Sequence, residues 1–270
     1  MQSKDTKYRL LSVMVQVPRK SLTEIPASIK ANQTTNERRN EVIEAKVFIK
    51  ENIYRTRYKQ PDLKISFETH YKNKCAYCEQ YVERWDIEHY RPVSKYYWLA
   101  YSWDNLIFAC PTCNQDSKKE QFEIQNATQV IYDSKDLSNI HNLCSKYNQQ
   151  EKPKLFHPEF DQPEEFLSFD AKGNIYSENI RGKYTIKTCG LNREKLSTRR
   201  KELVVDDFIK KLDDIIFITH EDIEKCLIEI DKLINDFAKE SKNQKKEFLA
   251  FRRYLLKNIF PQIIIQKMNK

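Results

Sequence analysis

Two Cys-x-x-Cys pairs, Cys75/Cys78 and Cys110/Cys113, stand 31 residues apart in this chain of 270. Each pair can present two thiolates from one tight turn, and two such turns supply the four soft ligands of a closed tetrahedral Zn²⁺ site. The chain has seven cysteines, an odd number that suits metal ligation in a reducing compartment better than a disulfide framework. Between and just after the pairs lie Glu88, His89, Arg91, Asn105, Asn114, Lys118 and Lys119. His89 titrates near neutrality and can take a proton from water. Glu88 and Asn114 offer hard oxygens to a Mg²⁺ or Mn²⁺ ion. Arg91, Lys118 and Lys119 can contact phosphate, or can simply be solvated. A base, an ion site and nearby cations are what phosphodiester hydrolysis needs. Because adjacent residues of a strand point to opposite faces, Glu88 and His89 are expected at a strand end or bend.

The rest of the chain must position these residues. Its composition, 40% hydrophobic and 32% charged with only three Gly, is that of an ordered, helix-rich protein. Residues 40–59, with Val42, Ala45, Ile49 and Ile53 at helical spacing, read as one amphipathic helix ending in Arg55, Arg57 and Lys59 and closed by Pro61. Residues 167–176 read as two short strands around a Lys172-Gly173-Asn174 turn. Leu203, Phe208, Leu212 and Ile215 mark one further helix. Thr219-x-x-Asp222 caps the next, whose face is Ile223, Cys226, Leu227, Ile230, Leu233, Ile234 and Phe237. A last helix carries Phe248, Phe251, Leu255 and Ile259 and ends near Pro261. The apolar stretch 10–17 is too short to span a membrane and lacks a signal-peptide cleavage site, so a cytoplasmic location is the default expectation. The resulting division is a basic helical region (1–74), a site-bearing module (75–125), a linker with short strands and a basic segment (126–198), and a helical region (199–270).

In order, Trp85-Asp-Ile-Glu-His-Tyr-Arg-Pro92, Trp103-Asp-Asn-Leu106 and Cys110-Pro-Thr-Cys-Asn-Gln115, followed by Lys118, resemble the HNH endonuclease motif. The resemblance implies an α+β, mostly helical protein in which a small zinc-braced ββα-metal module is flanked by helical segments. It implies His89 as general base, Glu88 and Asn114 as ligands of the catalytic ion, and Asn105 as the residue that holds the loop bearing His89. Leu155-Phe-His-Pro-Glu-Phe-Asp-Gln-Pro-Glu-Glu165 and Thr185-Ile-Lys-Thr-Cys-Gly-Leu-Asn-Arg-Glu-Lys-Leu-Ser-Thr-Arg199 extend the likeness to one branch. That branch is the PtuB-type nuclease subunits of Septu anti-phage defence and their retron-associated relatives. Glu88 stands where many such motifs have Asp, which keeps a carboxylate, and His157 stands where Asp is expected. The branch implies a DNA-cutting effector that works with a PtuA-like ATPase of the ABC or SMC type, docked on residues after about 205, with retron components as further partners.

Two rival readings stay open on sequence: a non-catalytic zinc-stabilised module that binds nucleic acid or protein, and the same hydrolysis directed at RNA, including tRNA. His70, His141, His157 and His220 lack the context of His89 and read as structural. Cys144, Cys189 and Cys226 read as free thiols, and Trp85, Trp98 and Trp103 as core. The net charge of +8 is unevenly spread. Residues 1–74 carry 16 Lys/Arg against 8 Asp/Glu, residues 75–125 carry 5 against 8, and the rest 26 against 23. The acidic middle should therefore receive its nucleic acid from basic flanks, 38–74 and 181–201, or from a partner.

Overall fold

Asn32 opens the first substantial helix, its side chain accepting from the Thr35 N–H at 3.1 Å. In the computed structural model, which describes residues 17–269, this helix, α2 (Gln33–Ala45), follows a single turn α1 (Ala27–Lys30). The helix expected over 40–59 is broken at Lys46. That residue turns left-handed (φ 53°), and its N–H returns to the Ile43 carbonyl. The chain resumes as α3 (Asn52–Arg55) and a 3₁₀ turn (Thr56–Lys59), and Pro61 then opens α4 (Pro61–Tyr71) instead of closing a helix. Proline lacks the N–H that a first helical turn cannot use, so it suits that position. Tyr54 and Tyr58 are buried while Ile53 is exposed, the reverse of the face read from sequence. Of the apolar stretch 10–17, all but Val17 lies outside the described residues.

The centre is an antiparallel hairpin of β1 (Asp86–His89) and β2 (Leu106–Ala109), with Glu88 opposite Ile107 and His89 opposite Leu106. All of β2 is buried, and its alternation divides the core. Leu106 and Phe108 join Ile87, Val42, Tyr58, Phe67 and Trp103 in one apolar cluster with the N-terminal helices. Ile107 and Ala109 join the four cysteines, Tyr147, Leu155 and the C-terminal helices in another. Packing therefore runs across the sequence divisions at 74/75, 125/126 and 198/199. After β2, the second cysteine turn runs into a π-helical segment (Thr112–Lys118), a wide turn often found at functional sites.

Around this centre lie α5 (Cys144–Glu151), the hairpin β3 (Ser168–Phe169) and β4 (Ile175–Tyr176), then α6 (Ile180–Thr188) and α7 (Glu194–Arg200). Gly173 turns the hairpin at φ +84°, and a Cβ there would lie 2.2 Å from the Ser197 carbonyl oxygen. A second π-helical segment (Lys201–Asp206) leads into α8 (Asp207–Ile218), and α9 (Ile223–Glu240), α10 (Leu249–Asn258) and α11 (Phe260–Met268) complete the chain. Asp222, not Thr219, caps α9, accepting from the Lys225 N–H at 2.9 Å; the Thr219 hydroxyl donates back to Ile215 at the end of α8. Pro261 lies in the first turn of α11, so here too proline starts a helix. Among the described residues no helix is long and apolar enough to cross a membrane.

Candidate active site and metal centre

The two cysteine turns meet at the free end of the hairpin. Cys75, Cys78, Cys110 and Cys113 are all buried, with their sulfur atoms within 4.8 Å of one another and Cys78 and Cys110 Sγ 3.9 Å apart. A Zn–S bond of about 2.3 Å gives a tetrahedral edge of about 3.8 Å, so the four residues fit zinc. The Cys113 N–H points at Cys110 Sγ (3.3 Å), and Arg193 Nη1 approaches Cys113 Sγ (3.5 Å), offsetting thiolate charge. Hydrogen bonds from the neighbouring cysteines and this N–H hold Cys110 far below the ordinary thiol range. Cys144, Cys189 and Cys226 are free and buried.

Along β1 the side chains alternate. Asp86 and Glu88 face the π-helical segment, whereas His89, the last strand residue, packs its ring edge-on against Tyr58 (centroids 4.7 Å, 89°). His89 Nε2 lies 2.9 Å from the Ala100 carbonyl, which can only accept, so the proton sits on Nε2 and Nδ1 keeps its lone pair. Burial, reinforced by the positive charges of Lys118 and Lys59, pushes His89 down to about 4, keeping the ring neutral. The Asp86 carboxylate accepts from Asn114 Nδ2 (3.3 Å) and Gln115 Nε2 (2.7 Å), leaving the Asn114 amide oxygen as a ligand. Glu88 is buried against the Lys118 ammonium, which also donates to the His89 carbonyl oxygen (3.1 Å). Desolvation raises the Glu88 carboxyl above its usual range, and Lys118 opposes that rise. Glu88 Oε1 is the oxygen that faces the Lys118 ammonium, so the ion pair is direct. Asp86, Glu88 and Asn114 therefore bring two carboxylates and an amide oxygen to one cleft of about 330 Å³ that also contains His89. That set fits a hard divalent cation.

The remaining candidates divide sharply. Asn105 is buried one loop away, accepting from the Arg91 N–H (2.8 Å) and donating to the Arg91 carbonyl (3.1 Å), so it fastens the backbone just after His89. Arg91 is not available to phosphate. It is 0% exposed, with Nε on Glu151 (2.9 Å), Nη2 on Asn148 (2.8 Å) and Nη1 near Cys144 Sγ (3.4 Å). Lys118 is likewise 0% exposed and serves Glu88, so of the three basic candidates only Lys119 reaches solvent in the cleft. His157 is buried and bonds through Nε2 to the Asp104 carbonyl oxygen (3.1 Å). Most of the basic block 181–201 is engaged within the protein, although Lys187 and Lys195 are exposed. Arg181 pairs with Asp161, Lys183 with Glu178, Arg199 with Glu247 and Lys201 with Asp206, while Arg193 faces the sulfurs and Arg200 is buried on backbone carbonyls. Sequence reasoning missed Asp86, although strand alternation puts it on the face of Glu88. It assigned Arg55 and Lys59 to a basic flank but did not place them, or Tyr58, in the cleft beside His89, which all three line from outside the cysteine-bounded module.

Residues 75–120 match the family model described as HNH endonuclease. The chain carries an HNH endonuclease domain. It is 30% identical over 175 residues to the Septu protein PtuB of Bacillus mycoides (strain KBAB4), covering 57% of this chain and 55% of that protein. It is 27% identical over 149 residues to the Septu protein PtuA of the same strain, covering 50% of this chain and 20% of that protein. The chain thus spans about half the length of this PtuB and a fifth of this PtuA.

Proposed function

We propose that the chain is a metal-dependent endonuclease that hydrolyses DNA phosphodiester bonds as the effector of a Septu-type anti-phage system. One observation carries the reading: a neutral His89 whose Nδ1 lone pair is left free by the Nε2 bond to Ala100 shares a cleft with Asp86, Glu88 and Asn114. His89 takes the proton of the attacking water at Nδ1 while the Ala100 carbonyl fixes the ring. Asn105 keeps the backbone behind His89 from shifting. Glu88, Asp86 and Asn114 would hold the divalent ion, Mg²⁺ or Mn²⁺, whose chemistry is to steady charge on the phosphate and leaving oxygens. Zinc on the four cysteines would be structural, since all four positions are taken by sulfur.

The similarity to PtuB and PtuA supports a PtuA-like ATPase as the partner. Phe217 and Ile218 at the end of α8, and Ile223 and Leu227 on α9, are exposed apolar side chains in the region proposed for docking.

The test incubates the purified chain with plasmid DNA and total cellular RNA side by side, in Mg²⁺, Mn²⁺ or chelator, with and without the PtuA-like ATPase. Ion-dependent nicking or cutting of the plasmid is expected. Cleavage confined to RNA would reassign the substrate, and binding with no ion-dependent cleavage under any condition would favour the zinc-braced binding module.

A further inference from the structure

Arg55 and Lys59 lie upstream of the HNH domain, yet both line the catalytic cleft together with His89. Arg55 closes α3 and Lys59 closes the 3₁₀ turn after it, and both side chains reach the same cleft. Tyr58 anchors it: the ring is buried and meets His89 edge-on at 4.7 Å. The two cations therefore stand at a fixed place beside the base. Arg57, between them in sequence, is turned away and spent on Thr35 and Asn32 (2.9–3.0 Å).

Both side chains are exposed, and neither forms an ion pair with an Asp or Glu among the described residues. That separates them from the block 181–201, whose cations are largely paired or buried. It also separates them from Arg91 and Lys118, which the HNH domain keeps inside. A nuclease cleft needs positive charge for the phosphates on either side of the cut, and the domain itself leaves only Lys119 exposed there. We propose that Arg55 and Lys59 bind the phosphates that flank the scissile bond, so that the N-terminal flank completes the active site of the HNH domain. The proposal rests on the reading of this cleft as a nuclease site.

Binding is measured on the full chain carrying His89→Ala, so that no substrate is consumed, with a short fluorescent DNA duplex over a range of salt. Adding Arg55→Gln and Lys59→Gln should weaken binding by about tenfold or more. It should also make the plot of log affinity against log salt shallower by about 1.8, at about 0.9 for each phosphate no longer neutralised. Lys64→Gln, an exposed cation of α4 outside the cleft, should change neither. The charge-conserving exchange of Arg55→Lys with Lys59→Arg should restore the slope, which a misfolded flank would not. In the His89 background without further changes, absence of duplex binding would overturn the proposal. So would a double-Gln variant with the parent's affinity and slope, or a Lys64→Gln effect of equal size. If His89-dependent cutting is present and the double-Gln variant binds and cuts normally, the phosphate assignment fails alone. If the slope shifts as expected but no cutting occurs under any condition, Arg55 and Lys59 are phosphate contacts of a binding cleft and the endonuclease reading fails. A labelled single-stranded RNA run in parallel reports whether the same cations also serve an RNA backbone.

Discussion

The two sides of the β1–β2 hairpin are built on opposite terms. On the zinc side every reactive group is buried and already partnered. Four sulfurs face one point, Arg193 leans on them, and the C-terminal helices seal the surface with the cluster that includes Ile107, Phe208 and Phe251. On the cleft side the groups are only half engaged. His89 has one nitrogen bound and one free, Asn114 spends its amide N–H on Asp86 and keeps its amide oxygen, and Arg55 and Lys59 have no carboxylate partner among the described residues. A frame can be saturated, whereas a site must retain capacity for substrate and ion. The two sides are joined covalently: Asn114 follows Cys113 directly, and Lys118 ends the same π-helical segment. Whatever holds the sulfurs in place therefore also sets the position of Asn114, which lines the cleft, and of Lys118, which holds Glu88.

The comparison is broken most severely on the zinc side. Cys110→Ser should abolish stoichiometric zinc and cooperative folding together, because structural zinc in small modules contributes on the order of 10–16 kcal/mol. Metal analysis alongside a thermal melt checks this, and a zinc-free variant that melts like the parent would detach the frame from the metal. Next in size is Arg91→Ala. It leaves Glu151 buried without its cation and should cost about 3–5 kcal/mol in denaturant unfolding, with zinc retained. Loss of nucleic-acid affinity at full stability would instead return Arg91 to the phosphate-binding role. The smallest effect concerns pH. Burial holds His157 down to about 4, below its unfolded value near 6.5, so the unfolded chain takes up a proton first as the solution is acidified. The stability this contributes is present above pH 6.5 and is lost on descending to 4, by up to about 3 kcal/mol. His157→Asn should flatten the fall of melting temperature over that window, and equal slopes would contradict the assignment.

What the sequence disclosed follows the same divide. The cysteine turns and the Glu88-His89 strand end are local features, with ligands three residues apart and neighbours on one strand, so spacing alone locates them. The fates of Arg91 and Lys118 depend on partners far along the chain: Glu151 is 60 residues from Arg91, and Glu88 is 30 from Lys118. A basic residue beside His89 looks like a phosphate ligand until such a carboxylate is folded against it. The break at Lys46 was hidden because a lysine carries no sequence signal for the left-handed conformation that glycine would announce. With that helix intact, Arg55, Tyr58 and Lys59 had no reason to fall beside His89. Asp86 was readable, since strand alternation places it with Glu88, but the adjacent Glu-His pair, expected at a bend, masked the period of two that reveals it.

The central claim is that His89 does chemistry on a scaffold it does not support. His89→Ala should retain stoichiometric zinc and a melting temperature near that of the parent, while Mg²⁺- or Mn²⁺-dependent nicking of plasmid DNA falls by about 10²–10⁴-fold. Nicking at the parent's rate by a zinc-loaded, folded His89→Ala protein would contradict the account.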